Sequence, residues 1–559
     1  MNDPLQFPID DYYCTETNNF INNSVTRLNS QNNSFEPNQR VQILTKSIEE
    51  HFNPSTNYSP STTVEKTIHL PLLEGEIIKN EHKGFIFEKM HTSIYITNHR
   101  LILYFHSTEE CMTFPFFCLL KIKTTEHNGV CYTFYFKDCQ IITLSAYEPS
   151  TPCTSFVQTI RQMIETYCPI DFVMRGVGGK HGWSSYNIYN EFSRLRLEGE
   201  WKVCEYNSKY EICNTYPTQL IVPMDIHKST LMASSEFRTN GRIPVLTWIH
   251  PQTRKVLLRS SQPKTGFTGK SDEDVTLLYR EGGGSYIQIY DCRDYYSALG
   301  NKAFKQAGFE SISEYTFCSI EFLNIPNIHR VKEAFNECYD IFLTQDETMS
   351  ILPIIYKSEW IKYIQILLQS TQTVSNMLEN KSVLVHCSDG WDRTSQICSL
   401  VELMLDPFYR TISGFAVLIE KDWLSFGHQF QTRSGITHDT TNTSPVFLQF
   451  LHCVHVLLKQ NPYSFEFNDK LLQFLADELF TFKYGTFAFN CEKDRKEIKA
   501  NLYSASIWDD VINMTEFINE HFMLSSKPLT LNTSLLCISS WLNYFIRYSQ
   551  PLISQKTLY

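Results

Sequence analysis

The first sixty or so positions carry isolated apolar residues with no sustained period. They are rich in Asn, Ser, Thr and Pro, as in NNSFEPNQR at 32–40. Such a stretch cannot bury enough apolar surface to offset the entropy of ordering, so residues 1–62 are expected to be a disordered tail. A short helix at Val41–Phe52 is the one exception expected there. From about residue 63 the pattern changes. Ser93–Phe105 (SIYITNHRLILYF) and Cys131–Leu144 (CYTFYFKDCQIITL) are β-branched and aromatic with alternation, and turn residues such as Asn128-Gly129 bound them. Thr151–Tyr167 then shows apolar residues at three- and four-residue spacing and predicts a helix. Several strands closed by one helix predict a small β-barrel or sandwich whose open end the helix covers.

A glycine-rich stretch, Gly176–Gly182, predicts a linker. Beyond it, near Trp183, helical stretches alternate with short apolar runs. Ser382–His386 (SVLVH) reads as a buried strand, and Thr394–Leu405 (TSQICSLVELML) as an apolar helix. Strand, polar loop and helix in one unit is an α/β signature. Expected are a tail (1–62), a β-rich domain (63–170) and an α/β domain with a central sheet flanked by helices (171–555). No internal repeat is visible.

Composition adds limits. At 559 residues the chain is too long for one core. A net charge of −11 argues against broad nucleic-acid binding, although a local pocket can be positive in an acidic chain. Seventeen cysteines are scattered with no C-x-x-C pair, so zinc and redox spacings are missing and neither metal nor cofactor is expected. The polar, acidic N-terminus and the lack of an apolar run of about 18 residues predict a reduced, soluble, cytoplasmic protein.

The loop between the strand and the helix reads His386-Cys387-Ser388-Asp389-Gly390-Trp391-Asp392-Arg393-Thr394. A helix N-terminus presents unpaired N–H groups and partial positive charge, and a loop wrapped over it makes a nest for a tetrahedral anion. Gly390 permits backbone angles closed to other residues. The helix end and the Arg393 guanidinium favour the thiolate of Cys387. Arg393 can also hold two phosphate oxygens in its planar fork. The bland alternatives are a buried inert thiol and a surface arginine, and C-x5-R spacing by itself does not separate them.

The nine-residue string resembles the active-site signature of the myotubularin family of phosphoinositide 3-phosphatases. The resemblance extends from about 183 to 550. Gly241–Pro263 (GRIPVLTWIHPQTRKVLLRSSQP) looks like the family's GRIPV-W-HP segment, with Tyr216-Pro217, Val222-Pro223 and Phe237-Arg238 upstream in similar strings. Ile289–Arg293 (IYDCR) with Asn301 is similar to its DARP…N stretch, and Asn327-Ile328-His329 to its NIH triplet. DPFYR (406–410), EKDWLSFGH (420–428), SPVFLQF (444–450) and FEFN (465–468) read likewise. The β-rich module resembles the family's PH-GRAM domain. The resemblance implies hydrolysis of the 3-phosphate of phosphatidylinositol 3-phosphate, and of the 3,5-bisphosphate, through a phosphocysteine on Cys387. It implies Arg393 on the equatorial oxygens and Asp392 as acid and base; no W-P-D string supplies another acid. The alternative for Asp392 is a pairing that shapes the loop.

The resemblance also implies that Ser388, Asp389, Gly390 and Trp391 face the head group, with Trp391 as a flat wall or as ordinary packing. Asn301 and Asn327 are implied near the pocket, as ligands or as caps. Two basic residues four apart follow the GH in the family. Here the second is Arg433 and the first is replaced by Gln429, which bears on the grip on lipid-side phosphates. Asp294 stands where Pro is usual, and KQAG (305–308) where a glycine triplet is usual; Gly282–Gly284 predicts a turn. Implied partners are phosphoinositides at endosomal or similar membranes, with peripheral association, and a family-type homo- or hetero-oligomer, although no C-terminal coiled coil is visible. Other readings are a protein tyrosine or dual-specificity phosphatase, and a catalytically silent phosphoinositide-binding scaffold.

Overall fold

The computed structural model describes residues 68–547, apart from 74, 127–128, 147–152, 175–180, 267–268, 305–306, 345–357 and 437–440. The expected tail, the helix at Val41–Phe52, Asn128, most of the glycine-rich stretch and Lys305–Gln306 lie outside the described residues. Everything below belongs to one compact unit, Leu70–Tyr559.

Seven strands form an antiparallel sheet: β1 (Ile78–Phe87), β2 (Met90–Thr97), β3 (Arg100–Phe105), β4 (Cys111–Pro115), β5 (Leu119–Thr125), β6 (Val130–Phe136) and β7 (Ile141–Ala146), in the order β4-β3-β2-β1-β7-β6-β5. Each of the two alternating segments is a hairpin rather than one strand. The first turns at Asn98-His99, where the Thr97 hydroxyl accepts from the N–H groups of His99 and Arg100 at 3.0 and 2.8 Å. Ile94, Ile96, Leu101, Leu103, Phe134 and Leu144 point inward. The helix Cys153–Thr166 presents Phe156 and Ile160, both fully buried, to that core. Phe156 meets Phe85 and Tyr132 with ring centres 5.2 and 5.3 Å apart. The sheet is fastened to the rest of the unit. Tyr339 Oη donates to the Phe136 carbonyl at 2.6 Å, and Phe117 packs edge-on against Phe482.

The second sheet has five strands in the order β10-β11-β14-β12-β13: β10 (Val245–Ile249), β11 (Val256–Ser261), β12 (Ile287–Asp291), β13 (Cys318–Phe322) and β14 (Ser382–Cys387). A short ribbon, β8 (Trp201–Cys204) with β9 (Leu220–Pro223), lies apart from it. β11, β14, β12 and β13 are parallel, and β10 runs antiparallel on the edge. β14 is central and wholly buried, as its unbroken apolar run requires. Its carboxyl end opens between β11 and β12, which is where open α/β sheets place their ligand crevice.

The helix Arg393–Leu405 is buried from Thr394 to Leu405. Most of its polar side chains are bonded, although the Thr394 hydroxyl has no partner among the described residues. Gln396 donates to the Val446 carbonyl and to Gln449, and Ser399 accepts from the Trp423 indole. Glu402 meets Lys421 at 2.5 Å, and Lys421 also pairs with Asp422 at 3.1 Å. Burial and the Asp422 charge push Glu402 well up. Burial works against the charge on Lys421, but Asp422 and Glu402 raise it overall. Removing one member of a buried ion cluster leaves its partners uncompensated. Lys421→Met is therefore expected to cost about 3–5 kcal/mol in urea unfolding, with part of the loss recovered by Glu402→Gln in the same chain. A cost under about 1 kcal/mol would show that the cluster is not a structural keystone.

No helix among the described residues is long and apolar enough to cross a membrane.

Candidate active site

β14 delivers Cys387 to the carboxyl edge of the sheet, and the helix starting at Arg393 closes the loop. Gly390 adopts φ +79°, and a Cβ there would sit 2.3 Å from the Ser260 carbonyl oxygen, so a side chain is excluded twice. This close approach to β11 turns the Gly390 N–H toward Cys387 Sγ, 3.2 Å away. On the other side the Gly390 carbonyl accepts from two buried arginines, Arg242 at 2.9 Å and Arg259 at 3.2 Å. Arg259 also binds Asp422 at 2.8 Å and the Ser395 hydroxyl at 2.7 Å. Asp422 lies in a π-helical turn, Glu420–Ser425. The loop is thus held from behind by fixed charges before any ligand arrives.

Cys387, Ser388, Asp389, Asp392 and Arg393 face a cleft of about 1940 Å³, together with Lys264, Arg293, Asn301, Lys302, Asn327, Arg330 and Arg433. Arg393 Nη1 donates to the Ile325 carbonyl at 3.1 Å. Asp389 accepts from Asn240 at 2.9 Å. Burial, and then the Asp392 charge, raise its pKa above the ordinary carboxylate value. Gly390 and Trp391 do not line the cleft. The expected indole wall is corrected accordingly: the Arg242 guanidinium lies 5.5 Å from the Trp391 ring, and the Trp391 carbonyl accepts from His428 Nδ1 at 2.8 Å and Ser395 at 3.2 Å. The half-buried ring thus lies on the Arg242 side of the loop, as packing, rather than in the cleft.

Asp392 and Arg433 meet face to face. Nε and Nη2 of Arg433 donate to the two carboxylate oxygens at 3.0 and 2.8 Å, and Nη1 donates to the Asn442 carbonyl at 3.0 Å. His428 Nδ1 lies 3.2 Å from the same carboxylate. Burial by itself would raise the Asp392 pKa. Arg433 and His428 outweigh it and hold the group well below the carboxylate range. Asp392 is thereby favoured as the carboxylate, and Arg433 is committed to it rather than free at the mouth.

Both asparagines reach the cleft. Asn327 Oδ1 accepts from the N–H groups of His329 and Arg330, each at 3.1 Å, and so caps the helix Ile328–Thr344. Asn301 Nδ2 donates to Gln262 at 3.3 Å. Gln429 does not line the cleft; its amide donates to the Gly427 carbonyl at 3.1 Å. Asp294 accepts from the Ser297 N–H at 2.8 Å, at the start of the helix Tyr295–Phe304. It begins that helix as a cap, a duty Pro performs by its fixed φ. Among the described residues, no group of three or more His, Cys, Asp and Glu could hold a metal ion.

Sequence reading passed over the buried charges beneath the loop. His386 Nε2 lies 3.0 Å from Glu310, and Glu310 binds Arg238 at 2.7 Å. Arg238 in turn pairs with Asp274 at 2.7 Å. Arg238 follows a helix and Glu310 and Asp274 lie far from it in sequence, so no local pattern signalled this ladder.

A Cys-x5-Arg loop at the carboxyl end of a central parallel strand, closed by a helix N-terminus and open to a polar cleft, defines the class: a domain built to hold a phosphate group. The model of the Myotubularin-like phosphatase domain matches residues 170–496. Myotubularin of Xenopus tropicalis is 37% identical over 390 residues, covering 67% of this chain and 64% of that protein. Myotubularin of Rattus norvegicus is 38% identical over 388 residues, with the same coverage. Phosphatidylinositol-3,5-bisphosphate 3-phosphatase MTMR2 of Mus musculus is 37% identical over 401 residues, covering 69% of this chain and 62% of that protein. The match thus spans a little under two thirds of these relatives' own length. The chain belongs to the myotubularin-like phosphatase family.

Two outcomes follow from this geometry. Gly390→Ala should weaken phosphate or vanadate binding at least about a hundred-fold, since an ångström-scale shift of a binding loop costs that much; titration calorimetry reads it, and unchanged affinity contradicts the clamp. The second concerns His386. Burial lowers its pKa, but Glu310 and Asp291 outweigh burial and raise it above 6.5. Stability from this pair is therefore fully present below pH 6.5 and lost as pH rises through the folded pKa. Burial raises Glu310, but His386 and Arg238 outweigh it and depress it below 4.5, so its share is present above 4.5 and lost as pH falls. Glu310→Gln should flatten the alkaline decline of melting temperature; parallel curves would contradict the pairing.

Proposed function

We propose that the chain is a cysteine-dependent phosphoinositide 3-phosphatase, acting on phosphatidylinositol 3-phosphate and phosphatidylinositol 3,5-bisphosphate. One observation carries the reading. Cys387 Sγ accepts the Gly390 N–H at 3.2 Å and shares with Arg393 the floor of a cleft wide enough for a sugar-sized head group. A thiolate there attacks phosphorus in line while Arg393 and the loop N–H groups hold the equatorial oxygens. Phosphocysteine forms as the P–O bond to inositol breaks, and water then hydrolyses it. Lys264, Lys302 and Arg330 on the surrounding walls suit a polyanionic head group better than the single phosphate of a phosphotyrosine. The printed name of MTMR2 supports the 3,5-bisphosphate.

The leaving inositol oxygen needs a proton, and of the two loop carboxylates on the cleft, Asp389 and Asp392, the family likeness favours Asp392, beside Arg393, as its carrier. Asp392 is favoured as the carboxylate because Arg433 grips it. A bound phosphate competes for that guanidinium. Each donor Arg433 turns to phosphate is withdrawn from Asp392, whose burial then favours the protonated form. Substrate thereby arms its own acid. By the same likeness we take residues 63–170 as a PH-GRAM-like domain that brings the enzyme to endosomal membranes, 171–555 as the phosphatase domain, and a family-type oligomer as the assembly.

A lipid panel with phosphopeptides in parallel tests the substrate class. Release from 3-phosphorylated lipid, and loss by orders of magnitude in Cys387→Ser with lipid binding kept, is the expected result. Lipid binding with no turnover in the native chain would leave a scaffold instead, and phosphopeptide preference a protein phosphatase. Arg433→Ala removes the charge that depresses Asp392, so the free-enzyme pH limb should move toward neutral pH as kcat/KM falls. An unmoved limb would separate Asp392 from proton transfer.

A further inference from the structure

Cys292 follows β12 directly. In the parallel ladder of β12 and β14, Asp291 stands opposite His386, so the next pair along is Cys292 and Cys387. The Cys292 N–H donates to the His386 carbonyl at 2.8 Å and extends that register past the end of the strand. Residues opposed on neighbouring strands lie about 5 Å apart and point to the same face. That separation is inside the Cα range of about 4.4–6.8 Å that a disulfide spans. Both side chains are reduced and buried, Cys292 at 0% and Cys387 at 3% exposure, but Cys387 faces the cleft. Burial first, and then the neighbouring Cys387, push the Cys292 thiol well up. The DARP string that IYDCR resembles has alanine here, so this thiol is a departure of the present chain.

We propose that Cys292 is the resolving thiol of an oxidative modification site whose other half is Cys387. The proposal rests on the reading of Cys387 as a thiolate. In the first step that thiolate attacks one oxygen of a hydroperoxide. The O–O bond breaks, sulfur is oxidised to sulfenic acid, and the other oxygen leaves and is protonated by solvent. In the second step Cys292 attacks the sulfenic sulfur. The S–O bond breaks, the S–S bond forms, and the Cys292 proton departs with the hydroxyl as water. A small thiol entering through the cleft attacks Cys387 Sγ and releases the Cys292 thiolate, and a second thiol then attacks the mixed disulfide, freeing Cys387 and leaving the small thiols as their own disulfide. Closing the bond removes the nucleophile from the phosphate loop and shields it from irreversible over-oxidation.

The full chain treated with hydrogen peroxide, alkylated and digested without reduction tests this by mass spectrometry. A peptide pair joined through Cys292 and Cys387 is expected, lost on adding dithiothreitol. Cys292→Ala and Cys292→Ser should each divert Cys387 to sulfinic acid and lose the recovery of activity by dithiothreitol that the native chain shows. A link from Cys387 to Cys398 instead, or equal recovery in native and variant chains, overturns the assignment. Since the peptide map uses no lipid, a chain inactive on phosphoinositides can still form the bond, and the two readings fail separately.

Discussion

The Gly390 peptide is the constraint on which the site depends. Its α-carbon rests against the β11 backbone, its carbonyl is tied to Arg242 and Arg259, and its N–H is aimed at Cys387. Two buried guanidiniums on one neutral carbonyl would be an expensive arrangement alone. It is tolerable because the terminal nitrogens of each arginine are bonded elsewhere, Arg242 to the Phe426 carbonyl and Thr215, Arg259 to Asp422 and Ser395, although the Nε of each has no partner among the described residues. Residues distant in sequence therefore fix one peptide plane. On the proposed function, the donors that would meet a phosphate are oriented by folding rather than by the ligand, which is how an oxyanion site avoids reorganisation when charge develops.

The parts of this fold that were legible are those where one chemical pattern dominates. SVLVH could only be a strand buried on both faces, and the apolar run after Arg393 only a helix packed on all sides. The hairpins within Ser93–Phe105 and Cys131–Leu144 were less plain, since their turn residues interrupt the alternation without a glycine pair. At the site, the C-x5-R loop was readable because its chemistry is contiguous. The pairing of Asp392 with Arg433, the retreat of Trp391 and the charge ladder from His386 to Asp274 were not. Each depends on which side chains meet across the sheet, and spacing along a chain carries no such information. Asp294 is an intermediate case: its departure from proline makes physical sense once the helix start is seen.

In the proposed mechanism, the pair of Arg433 and Asp392 is functional as well as structural. An ion pair sealed from water is a weak source of stability. One that opens onto a cleft can exchange its partner for an incoming anion of higher charge. The carboxylate then changes proton affinity without moving, so a binding event is transmitted as a change in acidity.

The seven-stranded sheet is fastened to the catalytic body through the Tyr339 hydroxyl on the Phe136 carbonyl and the Phe117–Phe482 contact. On the proposed reading, in which the sheet meets a membrane, those contacts make it a bracket rather than a tether, and the surface it landed on would set the tilt and height of the cleft. A flexible link would let the cleft sweep a hemisphere of orientations, most of them facing away. With the sheet packed against the catalytic body, that rotational search would be narrowed when the chain folds, leaving each encounter mainly lateral diffusion in a plane.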